Sequence, residues 1–143
     1  MDMPIVYRYS HIKLDQFATF DVTTVQQPLL FQSSGEVQTG CNYEARTVLI
    51  SVLANVKVED KLILTIKTSS YFELSQETWD GLKQDGYVVV PKDFLYHLGG
   101  LAFSTTRGVL FAKTEGTDLN TFVLPIIQMD KIIHADLKIP IPE

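Results

Sequence analysis

Between Thr47 and Leu74 the chain keeps a two-residue period that only extended backbone can use. Val48, Ile50, Val52, Ala54, Val56 and Val58 alternate with Thr47, Leu49, Ser51, Leu53, Asn55 and Lys57, which puts the first set on one face of a strand. Glu59-Asp60-Lys61 interrupts the run. Leu62, Leu64, Ile66, Thr68, Ser70, Phe72 and Leu74 then resume it opposite Lys61, Thr65, Lys67 and Glu73. Two such runs joined by a short polar break predict a long antiparallel hairpin. Its second face is not cleanly polar, because Leu49, Leu53, Ile63 and Tyr71 share it. Either another subunit or a client covers part of that face, or these are the scattered hydrophobes of an ordinary surface.

The flanking segments extend the sheet. Ile12, Leu14, Ala18, Phe20 and Val22 alternate with Lys13, Asp15, Phe17, Thr19 and Asp21, as in a further strand. Gln26-Gln27-Pro28 and Gln32-Ser33-Ser34-Gly35 read as loop, and Glu36 to Ala45 is long enough for a fourth strand. The expectation is a four-stranded, mostly antiparallel sheet. A chain of 143 residues, 45% of them hydrophobic, buries enough surface as one domain to need neither disulfide nor metal. The single cysteine, Cys41, can form no internal bridge.

After Leu74 the pattern becomes helical. Ser75 to Trp79 predicts a short helix with Trp79 as an anchor under the following loop, and Gly81 and Asp85-Gly86 mark turns. Tyr87 to Val90 is extended. Pro91 opens a helix expected to run to about Thr106, with Asp93 in its first turn, Arg107 at its end and Gly108 just beyond. Phe94, Leu95, Leu98, Leu101 and Ala102 form its apolar stripe. Gly99 and Gly100 each cost about 1 kcal/mol in a helix relative to Ala, which the close approach of another backbone would offset. The stretch 109–124 reads as a hairpin-like excursion, and Met129, Ile132, Ile133 and Leu137 suggest a final helix ending before the proline-containing tail 138–143. Strands first and helices last make an α+β fold: one domain over 1–143, with its core in about 6–137.

The residue inventory argues against catalysis. His11, His97 and His134 lie far apart in sequence, Cys41 has no neighbouring histidine or cysteine, and no spacing matches a metal site. Glu73 with Glu77, and Asp15 with Asp21, read as solvated charge, and no glycine-rich turn stands between a strand and a helix to cradle a phosphate. No catalytic residue, metal or cofactor is expected. Twelve Lys and Arg against seventeen Asp and Glu give a net charge of −5, a poor match for a phosphate backbone. The first eight residues lack the pattern of a signal peptide and no apolar run is long enough to span a bilayer, so a cytoplasmic protein without membrane insertion is expected.

A family resemblance rests on the order of several short motifs. The hairpin ending in Tyr71-Phe72-Glu73-Leu74, the loop, the helix closing on Thr106-Arg107-Gly108, and Leu124-Pro125-Ile126-Ile127-Gln128-Met129-Asp130-Lys131-Ile132-Ile133 together resemble the SecB export-chaperone family from about Val6 to Leu137. The resemblance implies a four-stranded antiparallel sheet with two main helices and assembly as a dimer of dimers. It also implies an ATP-independent holdase for unfolded or partly folded polypeptides, either in protein export or dedicated to a toxin–antitoxin pair. Tyr71, Phe72 and Leu74 match the apolar segment of the family's client groove, and Trp79 is added for its place in the next loop. Where export members carry acidic residues that dock the SecA motor, this chain has Leu14 and Ala18, and its 110–122 segment is longer than the family pattern. These departures point to a divergent relative. Two other readings keep the fold: a domain with a small-ligand pocket near the main helix, and an interaction protein with one folded partner.

Overall fold

A computed structural model describes residues 4–21 and 28–143; Val22, Gln26 and Gln27, which the sequence assigns to a strand end and a loop, lie outside them. Four strands, β1 (Tyr7–Thr19), β2 (Phe31–Asn42), β3 (Thr47–Val58) and β4 (Lys61–Leu74), form one antiparallel sheet in the order β1-β4-β3-β2. The predicted hairpin is β3–β4. Glu59 and Asp60 both take positive φ, 52° and 64°, as the tight turn requires, and Val58 faces Lys61 across it. Val48, Ile50, Val52, Ala54, Val56 and Val58 are all buried on the inner face. Beyond the sheet come α1 (Gln76–Gly81), β5 (Lys83–Gln84), β6 (Tyr87–Val90), α2 (Lys92–Lys113) and β7 (Leu137–Pro140), with β5-β6-β7 as a small second sheet. The architecture is α+β: a four-stranded antiparallel sheet with two helices.

Bulges shift the phase where the simple period misleads. Val56 pairs with Leu64 and Lys57 with Leu62, so Ile63 is the extra residue; it is fully buried while Leu62 is only half-buried, the reverse of the expected faces. In β1 the register skips Ser10 and again Asp15. Those two skips bring Tyr9, Ile12, Leu14 and Phe17 opposite Phe72, Ser70, Thr68 and Ile66, all on the inner side, whereas Ala18 faces Thr65 on the outer side. The 32–35 stretch, expected as loop, is part of β2. Its backbone pairs with 54–57 of β3, and Gly35 leaves room for Ile127 Cδ1 and Phe103, which stand 3.3 and 3.6 Å from where a Cβ would be.

Helix α2 covers the inner face and runs seven residues past its predicted end. Gly108 does not stop it, because Leu110 continues the buried stripe of Leu95, Leu98, Ala102, Phe103 and Thr106. The backbone turns at 114–117, where Gly116 takes a φ of +82°, so 109–124 is helix, turn and a 3-10 segment at Asp118–Thr121 and not a hairpin. Hydroxyl contacts stitch helix to sheet. Thr106 Oγ1 donates to the Ala102 carbonyl and lies 2.7 Å from Thr68 Oγ1, and Tyr9 Oη bridges Ser70 Oγ and Thr105 Oγ1 at 2.5 and 2.7 Å. The helix starts against another segment, with Lys92 N donating to Asp136 Oδ1 at 2.8 Å.

The final helix predicted from Met129 to Leu137 is absent. A single 3-10 turn spans Met129–Lys131, and Leu137–Pro140 pairs with β6 as β7, so the second helix is the short α1. Met129, Ile132 and Ile133 pack as a plug because Gly99 has no side chain: a Cβ there would lie 2.7 Å from Met129 Sδ and 3.5 Å from Ile133 Cδ1. The close approach at Gly99 is therefore by a side chain, and Gly100 has nothing within 4 Å. Gly100→Ala is expected to raise stability by about 1 kcal/mol through helix propensity. Gly99→Ala forfeits that gain to overpacking of about 1–3 kcal/mol. Urea melts of the two variants check the contrast, and equal stabilisation by both would contradict the Met129 contact.

Candidate functional site

Alternation along β4 decides where the predicted binding residues go. Phe72 points inward between Tyr9 of β1 and Val48 of β3, with 0% exposure; its ring lies 4.4 Å from that of Tyr9 and 6.1 Å from that of Tyr7, centroid to centroid. Leu74 is also fully buried. Trp79 is a buried residue of α1, a helix that Ser75 caps by accepting from Thr78 N, and its ring meets Tyr43 edge-on at 5.5 Å. Tyr71 alone of the four reaches the outer face, half-buried beside His11 at 5.4 Å and opposite Leu49. The four do not make one surface: Tyr71 lies on the outer face, whereas the side chains of Phe72, Leu74 and Trp79 are buried in the core.

Apolar residues do remain accessible elsewhere. On the outer face the row Tyr71–Leu49 ends at Gly40 on β2, whose missing side chain leaves Leu49 Cδ2 3.7 Å from the Cβ position. A polar seam follows, in which Asp15 accepts from Ser69 and Ser69 meets Ser51 at 3.2 Å; then comes Leu53 beside Lys67. At the start of β2 the side chains are more open still. Leu30, Val123 and Ile126 are 74%, 59% and 88% exposed. The extended segment 122–128 that carries two of them runs beside β2, held by the Phe31–Phe122 ring contact at 5.2 Å and by Ile127 over Gly35. Sequence reasoning did not single these three out. The available signal was proline: Val123 and Ile126 flank Pro125, and Leu30 follows Pro28 by two.

The sheet has two edges and they differ. β1 carries Arg8 and Lys13 and is broken by its bulges, features that discourage another strand from pairing. β2 pairs with β3 without a break over twelve successive residues and has Glu36 as its one charge. Along β2 a regular row of backbone groups therefore faces away from the sheet, next to the exposed strip of Leu30, Val123 and Ile126.

Two clefts flank these surfaces. One of about 220 Å³ at the Leu74 end of the sheet is lined by Val6, Tyr7, Leu74 and Ser75 together with Arg8, Arg46 and Glu73. The other, about 470 Å³, lies between Phe17, Phe20 and the end of α2 at Lys113. Among the described residues no three His, Cys, Asp or Glu side chains converge as metal ligands. His97 Nε2 lies 2.5 Å from Tyr7 Oη. Cys41, an exposed residue of β2 opposite Val48, has its thiol pKa pushed up by partial burial, opposite to what a nucleophile needs. No helix among the described residues is long and apolar enough to cross a membrane.

No family model matches the chain, and no curated protein matches it significantly. Among solved structures the fold is similar to the Mycobacterium tuberculosis Rv1957 SecB-like chaperone in complex with a ChAD peptide from the Rv1956 HigA1 antitoxin. The TM-score is 0.53 and the identity 11%, over 85% of this chain and 90% of that one. A protein of unknown function from Streptococcus agalactiae is similar over 87% of this chain and 99% of its own, with TM-score 0.38 and 11% identity. The first likeness shows that the chain has a SecB-like fold.

Proposed function

We propose that this chain is an ATP-independent holdase that captures non-native polypeptides in extended form along the outer edge of β2. The observation that carries the reading is the juxtaposition of a regular, nearly uncharged strand edge with the exposed side chains of Leu30, Val123 and Ile126. Strand addition supplies affinity through main-chain hydrogen bonds that any sequence can make, and the apolar strip selects segments that a folded protein would hide. The Tyr71–Leu49 row, reached across Gly40, adds aromatic area on the outer face. The SecB-like fold supports the reading, and the neighbouring chaperone's structure holds an antitoxin peptide.

Under this proposal Tyr71 touches the client, whereas Phe72, Leu74 and Trp79 fix the strand and loop around it. The protein works in the cytoplasm as a homo-oligomer, a dimer of dimers. Clients are unfolded chains in general, with export substrates and a dedicated antitoxin as the two narrower forms. The test is light scattering of several unrelated, chemically unfolded proteins diluted into buffer without nucleotide, after the protein's mass has been fixed by size-exclusion light scattering. Suppression at near-stoichiometric subunit ratios across the set is expected. Suppression of one substrate alone would narrow the function to a dedicated partner, and none at all would contradict the holdase.

A further inference from the structure

The cleft beside Leu74 has a construction the holdase reading does not use. Arg46 stands in the left-handed region at φ 51°, uncommon for a residue with a side chain, and its main chain is fixed there by Leu74 N donating to its carbonyl at 2.8 Å. Its Nε donates to the Leu74 carbonyl at 3.1 Å, and Nη2 lies 3.9 Å from Glu73 Oε2. From the other side Arg8 Nε donates to Glu73 Oε1 at 2.6 Å. Two guanidiniums thus converge on one carboxylate. Each carries five N–H donors in a planar fork, and with Nε engaged the Nη ends are the part that can take a second carboxylate. The floor of the cleft is rigid, because Val6 N donates to Thr78 Oγ1 and Val6 O accepts from Ser75 N, both at 2.9 Å.

Size and position narrow the ligand. At about 220 Å³ the cleft is below the roughly 300–1,000 Å³ of pockets for drug-sized molecules, so it takes a single residue. Its accessible apolar lining is Val6 and Tyr7, beside the charged side chains of Arg8, Arg46 and Glu73, and the fully buried Leu74 borders it from below. That pairing of apolar side-chain space with a fork for one carboxylate is found together on the last residue of a polypeptide. The row Asn42–Thr47–Glu73–Arg8 runs from the end of β2 to the cleft, so a client strand paired outside β2 lies three strand spacings, about 14 Å, from Glu73, a gap that about four or five extended residues beyond the paired stretch span.

We propose that this cleft binds the C-terminal residue of an extended polypeptide: its α-carboxylate on Arg8 and Arg46, displacing Glu73, and its apolar side chain against Val6. The inference rests on the polypeptide-binding reading and gives it a polarity, with the client's C-terminus at the Arg46 end of β2. Charge-assisted, forked hydrogen bonds give the site its preference for a free carboxylate.

Three fluorescein-labelled peptides of one apolar sequence test it by anisotropy: one ending in leucine with a free carboxylate, the same peptide as its carboxamide, and a carboxamide ending in glutamate. The free acid is expected to bind about tenfold tighter than either carboxamide. Arg8→Gln, at a side chain 73% exposed, should abolish the difference without unfolding the chain, and Glu73→Gln should tighten the free acid alone. Arg46→Gln serves as a second variant, with circular dichroism to check folding. Equal binding of acid and leucine carboxamide would overturn the inference while leaving the holdase reading intact. A glutamate carboxamide that binds as well as the free acid would overturn the C-terminal assignment. Failure of all three peptides to bind would instead remove the reading on which it rests.

Discussion

Phe72→Ala is expected to cost about 3–5 kcal/mol of stability, the range for truncating a fully enclosed aromatic ring. The ring is at 0% exposure, flanked by Tyr7 and Tyr9 of β1 and paired across the sheet with Val48. Removing it leaves a cavity bounded by bulky side chains that cannot collapse into it. In urea the midpoint should fall by roughly 2 M for a slope near 2 kcal/mol/M, measured by fluorescence of Trp79. Tyr71→Ala, one residue earlier on the opposite face, should cost about 1 kcal/mol. A Phe72 variant as stable as wild type but defective in client capture would return Phe72 to the surface and contradict the placement of β4.

The largest functional effect is expected from Val123→Ser combined with Ile126→Ser. Both side chains are already mostly in water, so folding loses little when they become polar; the melting curve should move by less than about 0.5 kcal/mol. Client capture loses two of the three exposed apolar contacts on the strip beside β2. At about 25 cal/mol per Å² of apolar surface taken from water, two such side chains account for roughly 2–4 kcal/mol of binding, a fall in affinity of at least thirtyfold. Anisotropy titration of a labelled unfolded polypeptide reads this directly. Unchanged affinity in the folded double variant would move the client surface elsewhere.

What the sequence revealed depended on whether a periodic signal reported burial. The β3–β4 hairpin was legible except at the Leu62–Ile63 bulge, because the valines and isoleucines of β3 obey a strict period of two and face one core. In β1 the skip at Asp15 puts Phe17 on the side of Ile12 and Leu14 and Ala18 on the other, so the period that identified the strand assigned the faces of its second half wrongly. Arg107-Gly108 resembled a helix terminus, yet a glycine at that position does not end a helix whose next buried residue, Leu110, keeps the stripe going. Met129, Ile132 and Ile133 have helical spacing that a single 3-10 turn satisfies equally well. The site was harder for a related reason: Tyr71 and Phe72 look alike in composition, and only the register places one outside and the other in the core. Leu30, Val123 and Ile126 belong to no periodic element, because the prolines beside them prevent one.

The most direct test of the account is amide hydrogen exchange of the intact protein, alone and saturated with an unfolded polypeptide. β2 has no strand on its outer side among the described residues, so its outward N–H groups should exchange quickly in the free protein and slow markedly when a client strand pairs with them. The predicted result is protection confined to Phe31–Asn42 and the 122–128 segment, with β1 unchanged. Protection at β1 with β2 unaffected, or none anywhere while the polypeptide is demonstrably bound, would contradict capture along the β2 edge.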